Sequence, residues 1–258
     1  MSRRTIIGKC RICGSVGPLT YEHIPPESAF NDQSVLEPNR DLIIGRDTIE
    51  YLDNRKGRTN QRGVGGYTLC GDCNSKTGSW YVPAFTDFSH ALYPMCAGLE
   101  VYKSGWITLK IKPLNILKQI MTMFCSVNSE RYAEVHPEMI RFILNQENRA
   151  LPDKFRISIA LYNLEHSVVL RSTGIASSMD MNNGRLSVFS EISFPPLILM
   201  LDVGQYPVDE RLTNITWFKN YNYNEVRSIN LILKSLPIST PVGNFLTETE
   251  LRALYTDS

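Results

Sequence analysis

The feature that most constrains this chain is a pair of Cys-x-x-Cys knuckles, Cys10-x-x-Cys13 and Cys70-x-x-Cys73, far apart in sequence. Four thiolates close the tetrahedral shell of a structural zinc and leave no position on that ion for substrate. Any chemistry must then lie beside the zinc. Disulfides are the other use of paired cysteines, and they need an oxidising compartment. The N-terminal run MSRRTIIGK is basic but lacks the apolar stretch of a secretory signal. The spacing therefore favours metal in a reducing compartment. Cys96 and Cys125 have no spaced partners and lie among apolar residues, so they read as buried small hydrophobes.

With 258 residues, 43% of them apolar, the chain suits one large globular domain or two modest ones. The longest apolar run, Leu197 to Leu201 with Val203 close behind, is far short of the ~18 residues of a membrane span. A cytoplasmic protein with no membrane partner is expected. A formal charge of +1 gives no bulk argument for nucleic acid, so any phosphate-binding surface must be local. Two local clusters exist. One holds Arg3, Arg4, Lys9 and Arg11, and the other holds Arg55, Lys56 and Arg58, followed by Arg62.

Gly14 gives the first knuckle the backbone freedom to turn its amides toward the sulfurs. Leu19 to Ile24 reads as a short strand, bounded by Pro18 and by Pro25-Pro26. Side chains alternate along a regular strand, so Glu22 and His23 converge only if the strand kinks or ends there. Asn54 to Gly66 is rich in Gly and basic residues and reads as a mobile loop. Asn74 to Gly78 reads as the first turn of a helix, and the aromatic stretch from Trp80 to Met95 as the packing surface of the zinc module. Helices are expected from Pro113, with Leu117, Ile120, Met121 and Phe124 as its stripe, and over Pro137 to Asn145. Half-buried alternation predicts a strand over Phe155 to Tyr162, and Asn183-Gly184 predicts a hairpin turn. Leu197 to Val203 and Thr213 to Lys219 read as strands, while Val226 to Leu236 fits strand or helix. Thr247-x-x-Glu250 reads as a capping box. The fold class is α+β: an N-terminal treble-clef zinc module over residues 1–95, then a larger mixed α+β domain with an antiparallel sheet over 96–258.

At Cys10-x-x-Cys13, Glu22-His23-Ile24-x-Pro26 and Leu69-Cys70-x-x-Cys73-Asn74-x-Lys76-x-Gly78 the sequence resembles the HNH endonucleases, of the kind that carry a four-cysteine zinc on a ββα-metal core. The likeness covers roughly residues 8 to 80, and the rest of the chain resembles no family. It implies a nuclease acting on DNA before RNA, and a role in bacterial defence. It also implies that His23 is the general base and that Glu22 and Asn74 hold a catalytic Mg²⁺ or Mn²⁺ beside the structural zinc. A hard cation takes oxygen ligands, and a neutral imidazole suits the activation of water. Compact members place an Asn in the hairpin before the second knuckle, where it orients the histidine. The run Gly63 to Tyr67 holds none, and Asn60, then Asn54, is the nearest candidate. A long insertion also separates Pro26 from Gly66.

Each residue has a plainer reading beside the functional one. His23 could prop the knuckle loop, and Asn74 could cap the helix that begins there. Arg55, Lys56, Arg58, Arg62 and Lys76 could contact phosphates or simply be solvated. His90, His136 and His166 have no spaced partners and read as structural. Two classes stay open: a metal-dependent nuclease, or a zinc-stabilised module that binds nucleic acid or protein without catalysis. The second half leaves room for a regulatory partner or a homo-oligomer contact.

Overall fold

Turn residues keep the N-terminal strands short. The computed structural model describes residues 5–38, 57–177, 186–204, 209–238, 243 and 245–256. Strand β1 (Ile6–Lys9) enters the first knuckle, the chain turns through Gly14 at φ 73°, and β2 (Val16–His23) returns antiparallel to β1. Pro18, expected to bound the strand, lies inside β2 opposite Ile7, whereas Pro25 and Pro26 follow its end and offer no N–H to extend the ladder. β3 (Val35–Pro38) and β4 (Gly57–Asn60) form a separate two-stranded ribbon. This corrects the loop reading over Gly57–Asn60: Gly-Arg-Thr-Asn has no apolar alternation, and only the partner strand makes it a strand. β5 (Gly65–Cys70) lies beside β2, which completes a sheet in the order β1-β2-β5. Arg3, Arg4, Asn54, Arg55, Lys56 and the Asn183-Gly184 turn lie outside the described residues.

Helix α1 (Gly71–Gly98) begins directly on the second knuckle, with Cys70 as its N-cap residue. It runs through Pro83 and Pro94, each of which removes one bond of the helical ladder. What holds it is a buried stripe, Cys73, Thr77, Tyr81, Ala84, Phe85, Phe88, Leu92 and Cys96, at three- and four-residue spacing. Knuckle, hairpin and helix give the zinc module expected on the N-terminal side. The division expected between residues 95 and 96 falls in the last turn of α1.

β6 (Ser104–Ile111) leads to α2 (Pro113–Val127), α3 (Tyr132–Val135) and α4 (Pro137–Leu144). Pro113 and Pro137 start their helices as expected. The stripe predicted for α2 understates it, because every residue of α2 is buried. β7 (Phe155–Ser167), β8 (Leu170–Ser177), β9 (Leu186–Phe194), β10 (Leu197–Val203), β11 (Thr213–Asn214) and β12 (Arg227–Ile238) follow, and α5 (Glu248–Thr256) closes the chain. The main sheet runs β6-β12-β7-β10-β9-β8, with β11 also on β7. Its pairs are antiparallel except β12 with β7, which is parallel. Thr213 to Lys219 is strand only at its start, since a 3₁₀ turn covers Thr216–Asn220. The Thr216 backbone N–H and the Trp217 indole turn back to Asn214 and favour that turn over a ladder. The capping box forms: Thr247 and Glu250 exchange backbone and side-chain bonds of 2.8 and 3.2 Å.

The half-buried reading of β7 is also corrected, because both faces of the strand are covered. Phe155, Ile157, Ile159 and Leu161 share a core with α1, α2 and the zinc module, while Ala160 and Tyr162 join Ile198, Met200, Leu236 and Phe245 on the other side. No helix among the described residues is long and apolar enough to cross a membrane.

Candidate functional site

The four cysteines meet where β1, β2, β5 and α1 come together. Tetrahedral Zn–S arms of about 2.3 Å set sulfurs about 3.8 Å apart. Cys13 Sγ and Cys70 Sγ stand 3.8 Å apart, and all four sulfurs lie within 4.8 Å of one another. None is in a disulfide. The Cys73 thiol pulls Cys10 down to about 4, and backbone N–H groups of Cys70, Cys13 and Ile12 add to the effect against the cost of burial. The same contact pushes Cys73 up, and burial pushes up Cys70. Without a cation the sulfurs share protons; a divalent ion supplies the charge that lets all four ionise. The cluster is positioned to hold a metal ion such as zinc. Arg11 anchors it from the first knuckle by donating to the Ser126 carbonyl at the end of α2.

Beside the cluster lies a cavity of about 200 Å³ lined by Tyr21, Glu22, His23, Glu27, Asn74 and Thr77, with Gln119 and Thr122 of α2 among its other walls. The β2–β5 register shifts between Thr20 and Tyr21, so the strict alternation that would separate Glu22 from His23 is broken just before them. The Thr68 hydroxyl donates to Glu22 Oε1. His23 Nε2 stands 2.9 Å from the Arg62 carbonyl oxygen. A carbonyl only accepts, so Nε2 carries a proton, and in the neutral ring the lone pair is then on Nδ1. Tyr21 packs edge-on to the imidazole at 5.2 Å.

Asn74 does not cap α1. It sits one turn inside the helix and donates through Nδ2 to Thr20 Oγ1 at 3.0 Å and to the Tyr21 carbonyl at 3.4 Å. The amide nitrogen is thus engaged with β2, and Oδ1 is the atom left for a ligand. Lys76 is exposed two residues further along α1, and Arg62, whose carbonyl holds His23, is exposed. Arg58 is exposed on β4, opposite Glu37 in the ladder. The histidines read as structural behave so where described: His90 Nε2 bonds the Ser28 carbonyl, and His136 packs on Tyr132 and Phe155. Cys96 donates to the Tyr162 carbonyl.

Asn31 was not legible as a site residue. It is fully buried and ties the exit of β2 to the entry of β5. Its Nδ2 donates to the carbonyls of Pro25 at 2.6 Å and Val64 at 2.7 Å, and its Oδ1 accepts the Val64 N–H at 2.7 Å. Gly63 has φ 73°, and a Cβ there would stand 2.0 Å from the Asn31 carbonyl oxygen. The bond therefore needs glycine beside it, and the run Gly63-Val64-Gly65-Gly66 was its trace in the sequence. Asn60, the candidate from sequence, instead donates to Glu37 within the β3–β4 ribbon. Gln119 gave no signal, because its place depends on how α2 docks against the zinc module.

Comparison with protein families, with curated proteins and with solved structures gives no match to this chain.

Proposed function

We propose that the chain is a metal-dependent endonuclease of HNH type that hydrolyses phosphodiester bonds, DNA before RNA, with zinc in the four-cysteine cluster as scaffold. The observation that supports this is the convergence of Glu22, His23 and Asn74 on one cavity, with Asn74 directly following the cluster cysteine Cys73. His23 takes the proton of the attacking water at Nδ1, while the Arg62 carbonyl keeps the ring in that tautomer. Water attacks phosphorus, and the bond to the 3′-oxygen breaks. Glu22 and Asn74 offer a carboxylate and an amide oxygen, the donor set of Mg²⁺ or Mn²⁺. Such an ion, when bound, supplies Lewis-acid charge to the phosphate and to the leaving oxygen.

Asn31 takes the part of the missing hairpin Asn, by fixing Val64 and with it the neighbouring Arg62 carbonyl. Lys76, Arg62 and Arg58 are the proposed phosphate contacts, and the sheet-bearing half is a proposed site of regulation or self-association.

The test is cleavage of supercoiled plasmid and of a short single-stranded RNA by zinc-loaded protein, with and without Mg²⁺ or Mn²⁺, beside His23→Ala. We expect metal-dependent nicking of DNA that falls ~10²-fold or more in the variant, at unchanged zinc content and melting temperature. Nicking retained in His23→Ala sinks the assignment of the base. An intact, zinc-loaded protein that cuts neither substrate is instead a binding module.

A further inference from the structure

Helix α2 is buried on every side, yet it carries several polar side chains, and most of them are satisfied. Asn115 donates to the Trp80 carbonyl at 3.1 Å, Lys118 to the Asn145 carbonyl at 2.7 Å, and Thr122 to the Lys118 carbonyl at 2.9 Å. Gln119 differs. It is 5% exposed, and its Oε1 is buried with no hydrogen-bond partner among the described residues. It also lines the cavity that Glu22 and Asn74 line. A buried acceptor with no donor destabilises a fold, and an apolar side chain of similar size would fill the place at less expense. A ligand that brings its own donors or positive charge accounts for the amide.

The ligand's class follows from the atoms around it. The cavity is lined by the carboxylates of Glu22 and Glu27 and by the amides of Asn74 and Gln119, whose oxygens are all hard. Such a set suits Mg²⁺ or Mn²⁺ and not the thiophilic ions of the cysteine cluster. A phosphate would instead need donors. At ~30 Å³ per water, about 200 Å³ accommodates an ion with a water shell. We propose that Gln119 supplies a third oxygen, beside Glu22 and Asn74, to a hard divalent cation and its waters. The candidate site is then completed by a helix from outside the zinc module. This rests on the nuclease reading for Glu22 and Asn74 as ligands.

The experiment is Mn²⁺ titration of the full-length, zinc-loaded protein, followed by the loss of the free-ion EPR signal, in the parent, Gln119→Leu, Gln119→Glu and Glu22→Gln. Zinc content and melting temperature are measured on each. Gln119→Leu should bind Mn²⁺ about tenfold or more weakly while melting at or above the parent's temperature, because the unpaired acceptor is gone. Gln119→Glu should bind at least as tightly as the parent. Parent-like binding in Gln119→Leu, together with loss in Glu22→Gln, overturns the proposal and leaves the nuclease reading standing. Parent-like binding in Glu22→Gln, or no Mn²⁺ uptake by the parent, removes Glu22 as a ligand and the proposal with it. If Gln119→Leu does not fold, Gln119→Glu decides: binding kept supports the role of Gln119, and binding lost overturns it.

Discussion

Replacing Asn31 by alanine tests how the hairpin is held. The side chain closes three bonds of 2.6 to 2.7 Å inside the protein. Without it the Val64 carbonyl keeps the Ile24 N–H at 2.9 Å, but the Val64 N–H and the Pro25 carbonyl lose the Asn31 contact. Two buried groups left unpaired, at ~2 kcal/mol each, give roughly 4 kcal/mol of lost stability. For a chain of this size that is about 8 °C in Tm. On the proposed nuclease reading the Arg62 carbonyl would shift with Val64, and a misplacement of about 1 Å at a catalytic group lowers rates by ~10²-fold. Calorimetry and plasmid nicking on one preparation read both effects. Asn60→Ala is the control, since its one bond at 3.1 Å lies in the β3–β4 ribbon. It should fall within about 1 kcal/mol of the parent. An Asn31→Ala protein that melts within about 2 °C of the parent would refute the reasoning, because the three bonds would then carry no net stability.

Other perturbations act elsewhere. Cys70→Ser should lose its metal and unfold the N-terminal module, because metal binding there is folding free energy; a soluble variant with the parent's melting profile contradicts this. Glu191 is fully buried, accepting from Ser193 Oγ at 2.5 Å and the Gly243 N–H at 2.8 Å, and burial raises its pKa from the ordinary 4.5. A raised carboxyl contributes its full stability below the unfolded value and loses it as pH rises through the folded one. Glu191→Gln should therefore be more stable than the parent at pH ~7, with the gap closing as pH approaches the ordinary carboxyl value, as read by urea melts. Lys118 is pushed down to about 7 by burial, against the pull of Glu147. From there up to the ordinary value of 10.5, the unfolded chain binds the proton that the folded chain has released, so stability should rise with pH. Lys118→Met should flatten that rise, and a parent whose stability falls over this range would refute it.

What the sequence made legible was chemistry and local pattern. Two knuckles announce a tetrahedral thiolate site whatever lies between them, and the continuous apolar run of β10, the proline starts of α2 and α4 and the Thr247–Glu250 box are written in neighbouring residues. β4 was hidden because Gly-Arg-Thr-Asn carries no periodicity, and the 3₁₀ turn at Thr216–Asn220 because a short apolar run suits several conformations. β7 looked half-buried because Ala160 and Tyr162 are weak markers of burial; their cover comes from Phe245 and Ile238, far along the chain. Of the candidate site, Glu22, His23 and Asn74 were readable as a set. Asn31 and Gln119 were not, because a lone amide acquires meaning only from what folding places against it.

Helix α1 has one more consequence. Its first turn contributes Cys73 to the metal cluster, and its last turn ends with Cys96 donating to the Tyr162 carbonyl at 2.6 Å in the middle of the main sheet. At 1.5 Å per residue those two sulfurs are anchored roughly 35 Å apart along one rod. Chelation frees one end of that rod, and Pro83 leaves one ladder bond fewer to stop fraying from spreading. Hydrogen–deuterium exchange at the β7 amides around Tyr162 should then quicken when the ion is withdrawn. The rigidity of the distant sheet would report the occupancy of the cysteine cluster.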